Sequence, residues 1–216
     1  DDGITTAKDI YNKARIAADQ GEIYQSGIYI YNDSIKNEKV LFNEISGSLK
    51  NAIKYNEFYL VYQPIIDLKK SEITEVEVLL RWNRGKREPL GPQLFIPIAE
   101  RIGLINQITK LIIEKTINQK DEWRKNAIEI MTTINVAGSE IEDNSFRESI
   151  QKIIEKNGVN RNNIGIELTE RTVLSGGTNF SDVLVDLRSK GYKILIDDFG
   201  TGYNSLMTFL EIPFDI

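Results

Sequence analysis

Five side chains in this sequence offer oxygen donors in or at the ends of short apolar segments: Glu77, Asn135, Glu167, Asp197 and Asp198. Asp197 and Asp198 follow the run Tyr192-Lys193-Ile194-Leu195-Ile196. Two adjacent anions at the end of a buried strand repel each other and lose hydration, and a bound cation relieves both penalties. Helix capping or a solvated turn explains such a pair equally well. Glu167 interrupts the apolar stretch Gly165–Thr169, where alternation puts it on the face of Gly165 and Thr169; Glu77 interrupts Val76–Leu80. An ionised Glu there needs a partner, either a cation or a basic side chain such as Arg81. Asn135 closes the segment Ile130–Val136, a place where Asn often bonds only a loop backbone. As a set these residues supply oxygen alone, which suits hard divalent cations such as Mg²⁺ or Mn²⁺. Two such ions about 3.5–4 Å apart activate water and stabilise in-line attack on phosphorus. Gly200-Thr201-Gly202 follows the Asp pair and permits a tight loop beside a ligand, or an ordinary turn.

Composition narrows the chemistry further. The chain has 216 residues and contains neither His nor Cys. Disulfides, the usual zinc sites, Cys nucleophiles and a Ser-His-Asp triad are thereby excluded. Hydrophobic residues make up 41% and charged residues 27%, which predicts a globular chain. A net charge of −5 gives no reason to expect binding to long nucleic acids, although a metal reverses the local field for a small anion. No apolar run reaches the roughly 18 residues of a membrane span. No signal peptide is visible. The expectation is a cytoplasmic chain without membrane contact, and anchoring of a longer parent by other segments stays open.

The elements that must position these donors have a regular beat. Thr6 to Gln20 has helical spacing at Ile10, Ala14 and Ala17, ending before Gly21, and Ile28–Tyr31 reads as a short strand. Leu41, Ile45, Leu49 and Ile53 mark an amphipathic helix. Phe58–Ile66 is a strand candidate whose Pro64 assigns it to a sheet periphery or an irregular pairing. Strand candidates at Val76–Trp82, Ile130–Val136, Gly165–Thr169 and Lys193–Ile196 then alternate with helices at Phe95–Arg101, Asn106–Lys125, Phe146–Lys156, Ser181–Lys190 and Ser205–Leu210. Such alternation predicts βα units, a mainly parallel sheet and a ligand site beyond the C-terminal strand ends. Donors from several successive strand ends point to an α/β barrel of the TIM type, with a doubly wound sheet as the alternative.

At these residues the sequence resembles the EAL family of cyclic di-GMP phosphodiesterases. The likeness runs from about Leu41 to the end through Tyr62-Gln63-Pro64-Ile65, Glu77-Val78-Leu79-Leu80-Arg81-Trp82 and Phe95-Ile96-Pro97-Ile98-Ala99-Glu100. It continues through Asn135, Glu167-Leu168-Thr169-Glu170 and Asp197-Asp198-Phe199-Gly200-Thr201-Gly202-Tyr203. The resemblance implies that Glu77, Asn135, Glu167 and Asp197 bind one metal, Mg²⁺ or Mn²⁺, and that Asp198 serves a second. It implies that Glu170 shapes the loop after Asp198, and that Gln63 and Arg81 contact cyclic di-GMP, Arg81 through phosphate. Glu77, Asp197, Asp198 and Glu170 would then be the catalytic set. The implied reaction is metal-assisted hydrolysis of one phosphodiester, giving linear pGpG. Residues 1–40 resemble more weakly the closing helix and strand of a diguanylate cyclase (GGDEF) domain, and residues 41–216 the EAL domain.

Two departures from the family pattern matter. Val78 stands where the signature has Ala, which leaves the ligand Glu77 unchanged. The sequence given also ends at Ile216, ahead of the family's catalytic Lys, a later metal-site Glu and the last barrel units. A barrel of this kind needs about 250 residues. The expectation is therefore an EAL domain truncated before its sixth strand is complete, with negligible turnover by this chain, an active parent, and open edges hidden in a homodimer or rearranged oligomer. A non-catalytic cyclic di-GMP receptor and a dimerisation or regulatory module are the competing functions.

Overall fold

The computed structural model describes residues 6–24, 33–85, 87–177, 179–198, 200, 214 and 215. The candidate elements Ile28–Tyr31 and Ser205–Leu210 lie outside them. The chain divides into two units, Asp1–Asn51 and Ala52–Ile216. The first holds α1, Ala7–Tyr24, and most of α2, Asp33–Lys54. Thr6 starts α1 by accepting the Asp9 N–H on its hydroxyl at 3.2 Å. α1 runs through Gly21 rather than stopping before it, because one glycine inside a helix costs only about 1 kcal/mol. α2 buries Ile45, Leu49 and Ala52 at helical spacing.

The second unit is built on five strands in consecutive order: β1 Phe58–Asp67, β2 Glu72–Trp82, β3 Met131–Asn135, β4 Ile164–Thr169 and β5 Lys193–Asp197. β1 and β2 form an antiparallel hairpin, and every later neighbour is parallel. The hairpin turn is an Asx-turn: the Asp67 carboxylate accepts the Lys69 and Lys70 N–H groups at 2.8 and 3.2 Å. Pro64 sits beside the register shift at Ile65/Ile66, the irregular pairing that a missing donor imposes. Strands that only ever add beside their predecessor follow a barrel's succession; a doubly wound sheet reverses order at a switch point.

Helices α3 (Pro92–Arg101), α4 (Ile105–Lys125), α6 (Asn144–Lys156) and α8 (Phe180–Ser189) fill the crossovers, with short α5 (Gly138–Glu142) and α7 (Glu170–Ser175) directly after β3 and β4. One face of the sheet is apolar and buried, with Val76, Val78, Leu80 and Trp82 on β2, Ile134 on β3, Ile164 and Leu168 on β4, and Ile194 on β5. At its edge Trp82 packs against Phe58 and Phe95 with ring centroids 5.5 and 5.6 Å away, and its indole N–H donates to Glu57 at 2.9 Å. Lys120 of α4 ties down the N-terminal ends of the strands. Its ammonium donates to the Ile130 carbonyl at 2.7 Å, the Thr132 hydroxyl at 3.0 Å and the Asn163 carbonyl at 3.1 Å. Burial lowers its pKa to about 8, opposed by Glu129. Among the described residues no helix is long and apolar enough to cross a membrane.

Candidate functional site at the strand ends

Strand alternation sends the opposite set of side chains to the other face. The pairings Gln63 with Glu77, Asn135 with Glu167, and Thr169 with Asp197 put these residues together on that face. Polar residues at C-terminal strand ends are where a parallel sheet presents its chemistry.

Glu77 is half-buried and accepts the Asn135 side-chain N–H at 2.9 Å, so β2 and β3 are linked through two of the expected ligands. Glu167 lies between them and β5. Its Oε2 is buried and has no hydrogen-bond partner. Burial raises its pKa to about 7, and the charges of Glu77, Asp197 and Glu75 push in the same direction. No Lys or Arg pairs with Glu77, Glu167 or Asp197 among the described residues, so no salt bridge among them accounts for the burial of Glu77 and Glu167. Asp197 ends β5 exposed, and its carboxylate accepts the Asp198 N–H at 2.8 Å. Asp198 has φ +58°, a left-handed conformation that is uncommon outside glycine and best tolerated by Asn and Asp.

Glu170 begins α7 and is 4% exposed. The helix starts there because Thr169 caps it, accepting the Thr172 N–H at 3.3 Å. The Glu170 carboxylate accepts the Gly200 N–H at 2.7 Å and so holds the chain just past the Asp pair. Gln63 is exposed on β1 across from Glu77. Arg81 is half-buried, and its guanidinium donates to the adjacent Leu80 carbonyl at 2.8 Å, a local contact that leaves further donors for an anion.

Among the described residues no three His, Cys, Asp or Glu side chains are gathered closely enough to grip an ion as they stand. The donor chemistry nevertheless fits a hard cation. All the groups are oxygens, Glu167 keeps an orphaned buried oxygen, and its neighbouring carboxylates repel one another. A bound cation would relieve that repulsion. A groove of about 440 Å³ runs along α4, and a cavity of about 100 Å³ lies beside Lys120, Ile130 and Asn163. Neither borders the carboxylates.

Two buried acids of this unit were not among the expected residues. Glu75 precedes Glu77 by two positions on β2, where the alternation Glu75-Val76-Glu77 was the available signal. Glu140 in α5 accepts the Ala137 N–H at 2.9 Å, and its position three residues after the helix cap was the signal.

The EAL domain family model matches residues 46–216. Cyclic di-GMP phosphodiesterase PA2567 of Pseudomonas aeruginosa is 33% identical over 167 residues, 77% of this chain and 28% of that protein. Probable cyclic di-GMP phosphodiesterase PdeI of Escherichia coli K12 is 32% identical over 188 residues, 85% of this chain and 24% of that protein. The chain thus spans about a quarter of the length of these curated relatives. Among solved structures, EAL enzyme Bd1971 in its cAMP- and cyclic-di-GMP-bound form has a TM-score of 0.70 at 34% identity, over 84% of this chain and 50% of that one. The PaMucR phosphodiesterase in complex with c-di-GMP has a TM-score of 0.74 at 26% identity, over 80% of this chain and 70% of that one. With a match over most of its length and an α/β fold shared with these structures, the chain belongs to the EAL domain family.

Proposed function

We propose that this domain serves metal-dependent hydrolysis of one phosphodiester bond of cyclic di-GMP, giving linear pGpG. The observation that carries the reading is Glu167. It is a half-buried carboxylate with an orphaned oxygen, on the same sheet face as Glu77 of β2 and Asp197 of β5, whose charges act on it, and unopposed by any basic side chain among the described residues. Similarity to relatives named as cyclic di-GMP phosphodiesterases supplies the substrate.

In this reading Glu77, Asn135, Glu167 and Asp197 hold one divalent cation, Mg²⁺ or Mn²⁺, and Asp198 contributes to a second. The bound cations supply charge stabilisation at phosphorus and lower the pKa of the attacking water. Asn135 orients Glu77 through their hydrogen bond. Glu170 acts at one remove, fixing Gly200 and with it the backbone that presents Asp198. Arg81 meets a phosphate oxygen, where a planar guanidinium adds geometric selection to charge, and Gln63 contacts the dinucleotide from β1.

The test is the full-length protein incubated with cyclic di-GMP and Mg²⁺ or Mn²⁺, with pGpG followed by chromatography. Production of pGpG that stops with EDTA and falls at least about 100-fold in Glu77→Gln supports the reading. Cyclic di-GMP binding without cleavage at any metal concentration would replace it with a receptor function.

A further inference from the structure

The polar face of β2 carries a second carboxylate for which this chemistry has no use so far. Glu75 lies one alternation before Glu77, paired with Ile65 across the hairpin and with Met131 on β3. It is 6% exposed, and its Oε1 has no hydrogen-bond partner. The other buried acids each accept a backbone N–H, Glu170 from Gly200 and Glu140 from Ala137, although Glu140 Oε1 also has no hydrogen-bond partner. Glu75 has only the Thr133 side chain to favour its charged form. No Lys or Arg pairs with it among the described residues. Strand alternation puts it on the face of Glu77, two residues further along β2. Removing a carboxylate from water without a cation or a backbone donor is strongly unfavourable.

We infer that Glu75 is an additional cation-binding carboxylate, extending the oxygen-donor set one layer further along the polar face of the sheet. The inference rests on the divalent-cation site proposed above and adds to it a ligand that lies outside the family motifs quoted for this sequence. A deeper anion strengthens the hold on a divalent ion and makes the metal-free protein less stable.

The test is a calorimetric titration of Mn²⁺ into the metal-free protein, without dinucleotide, for the wild type, Glu75→Gln and Glu77→Gln. Folding is followed by circular dichroism, and Glu75→Met serves as a second variant of similar volume without charge. Binding by the wild type, weakened about 10–100-fold in Glu75→Gln and Glu75→Met, is the expected result. In EDTA both variants should melt at or above the wild-type temperature, which separates lost binding from lost structure. Glu75 variants that bind Mn²⁺ as tightly as the wild type, while Glu77→Gln loses binding, overturn the role of Glu75 and leave the main site standing. A lower melting temperature with unchanged Mn²⁺ affinity marks Glu75 as structural and also overturns it. Absence of Mn²⁺ binding in the wild type, or unchanged binding in Glu77→Gln, overturns the site itself and the role of Glu75 with it.

Discussion

The two faces of the sheet are built to opposite rules. On one, Val76, Val78, Leu80, Trp82, Ile134, Leu168 and Ile194 are buried and need no partners beyond apolar contact. On the other, Glu75, Glu77, Glu167 and Asp197 put like charges on one face, and the buried oxygens Glu75 Oε1 and Glu167 Oε2 have no hydrogen-bond partner. The same strands, read at odd and even positions, thus separate the residues that stabilise the fold from those that weaken it. Sites that bind charged ligands are commonly places where local stability is given up. Substitutions on the two faces should therefore shift stability in opposite directions.

The largest effect belongs to the apolar face. Trp82→Ala removes a buried indole packed on Phe58 and Phe95 and leaves Glu57 without its donor. It should lose about 3–5 kcal/mol in urea titration, and a loss below about 1 kcal/mol would break the contrast. Next comes Glu140, a buried acid of the helical layer. Its pKa is raised to about 7 chiefly by burial and further by Glu100, while the Ala137 N–H and Thr109 pull it back. A carboxyl whose folded pKa lies above its unfolded value destabilises as it ionises. Wild-type stability should therefore fall as pH rises from about 4.5 to about 7, and Glu140→Gln should gain about 2 kcal/mol above that window. Thermal melts across pH measure both. Glu167→Gln has the same sign and window in metal-free protein, since its pKa also rises to about 7. The gain should be nearer 1 kcal/mol, because water screens a half-buried group. A loss of stability in Glu167→Gln would show that the polar face supports the fold after all. The smallest effect is expected at Leu68 on the hairpin turn, which is 91% exposed. Leu68→Ser should change stability by less than about 0.5 kcal/mol in the same assay.

Much of this division was legible in the sequence, for a physical reason. β3, β4 and β5 are short apolar runs between helical patterns, and each lies within a residue of its expected bounds. β2 begins four residues earlier than expected, at Glu72, because its first residues pair only with β1 and need not be apolar. Glu75 fell inside that missed extension. The short helices α5 and α7 carry too few turns for a periodic signal, and only their first residues reveal them, Thr169 by capping and Glu140 by reaching back to Ala137. Individual oxygen donors were visible as acids in apolar surroundings. Which of them pair across strands was not, since it depends on register, and the hold of Glu170 on the chain after Asp198, thirty residues of sequence away at Gly200, came from the family resemblance and not from spacing.

The consecutive strand order has a consequence for how the molecule is made. Each strand pairs with the one synthesised just before it, so a nascent chain leaving the ribosome can dock successive βα units without waiting for a distant partner. Glu77 then emerges early, while Glu167 and Asp197 arrive only with β4 and β5. Acids on different strands thus meet only as β4 and β5 dock, after the β1–β2 hairpin and β3 are already paired, which postpones their repulsion until there is a sheet to hold them.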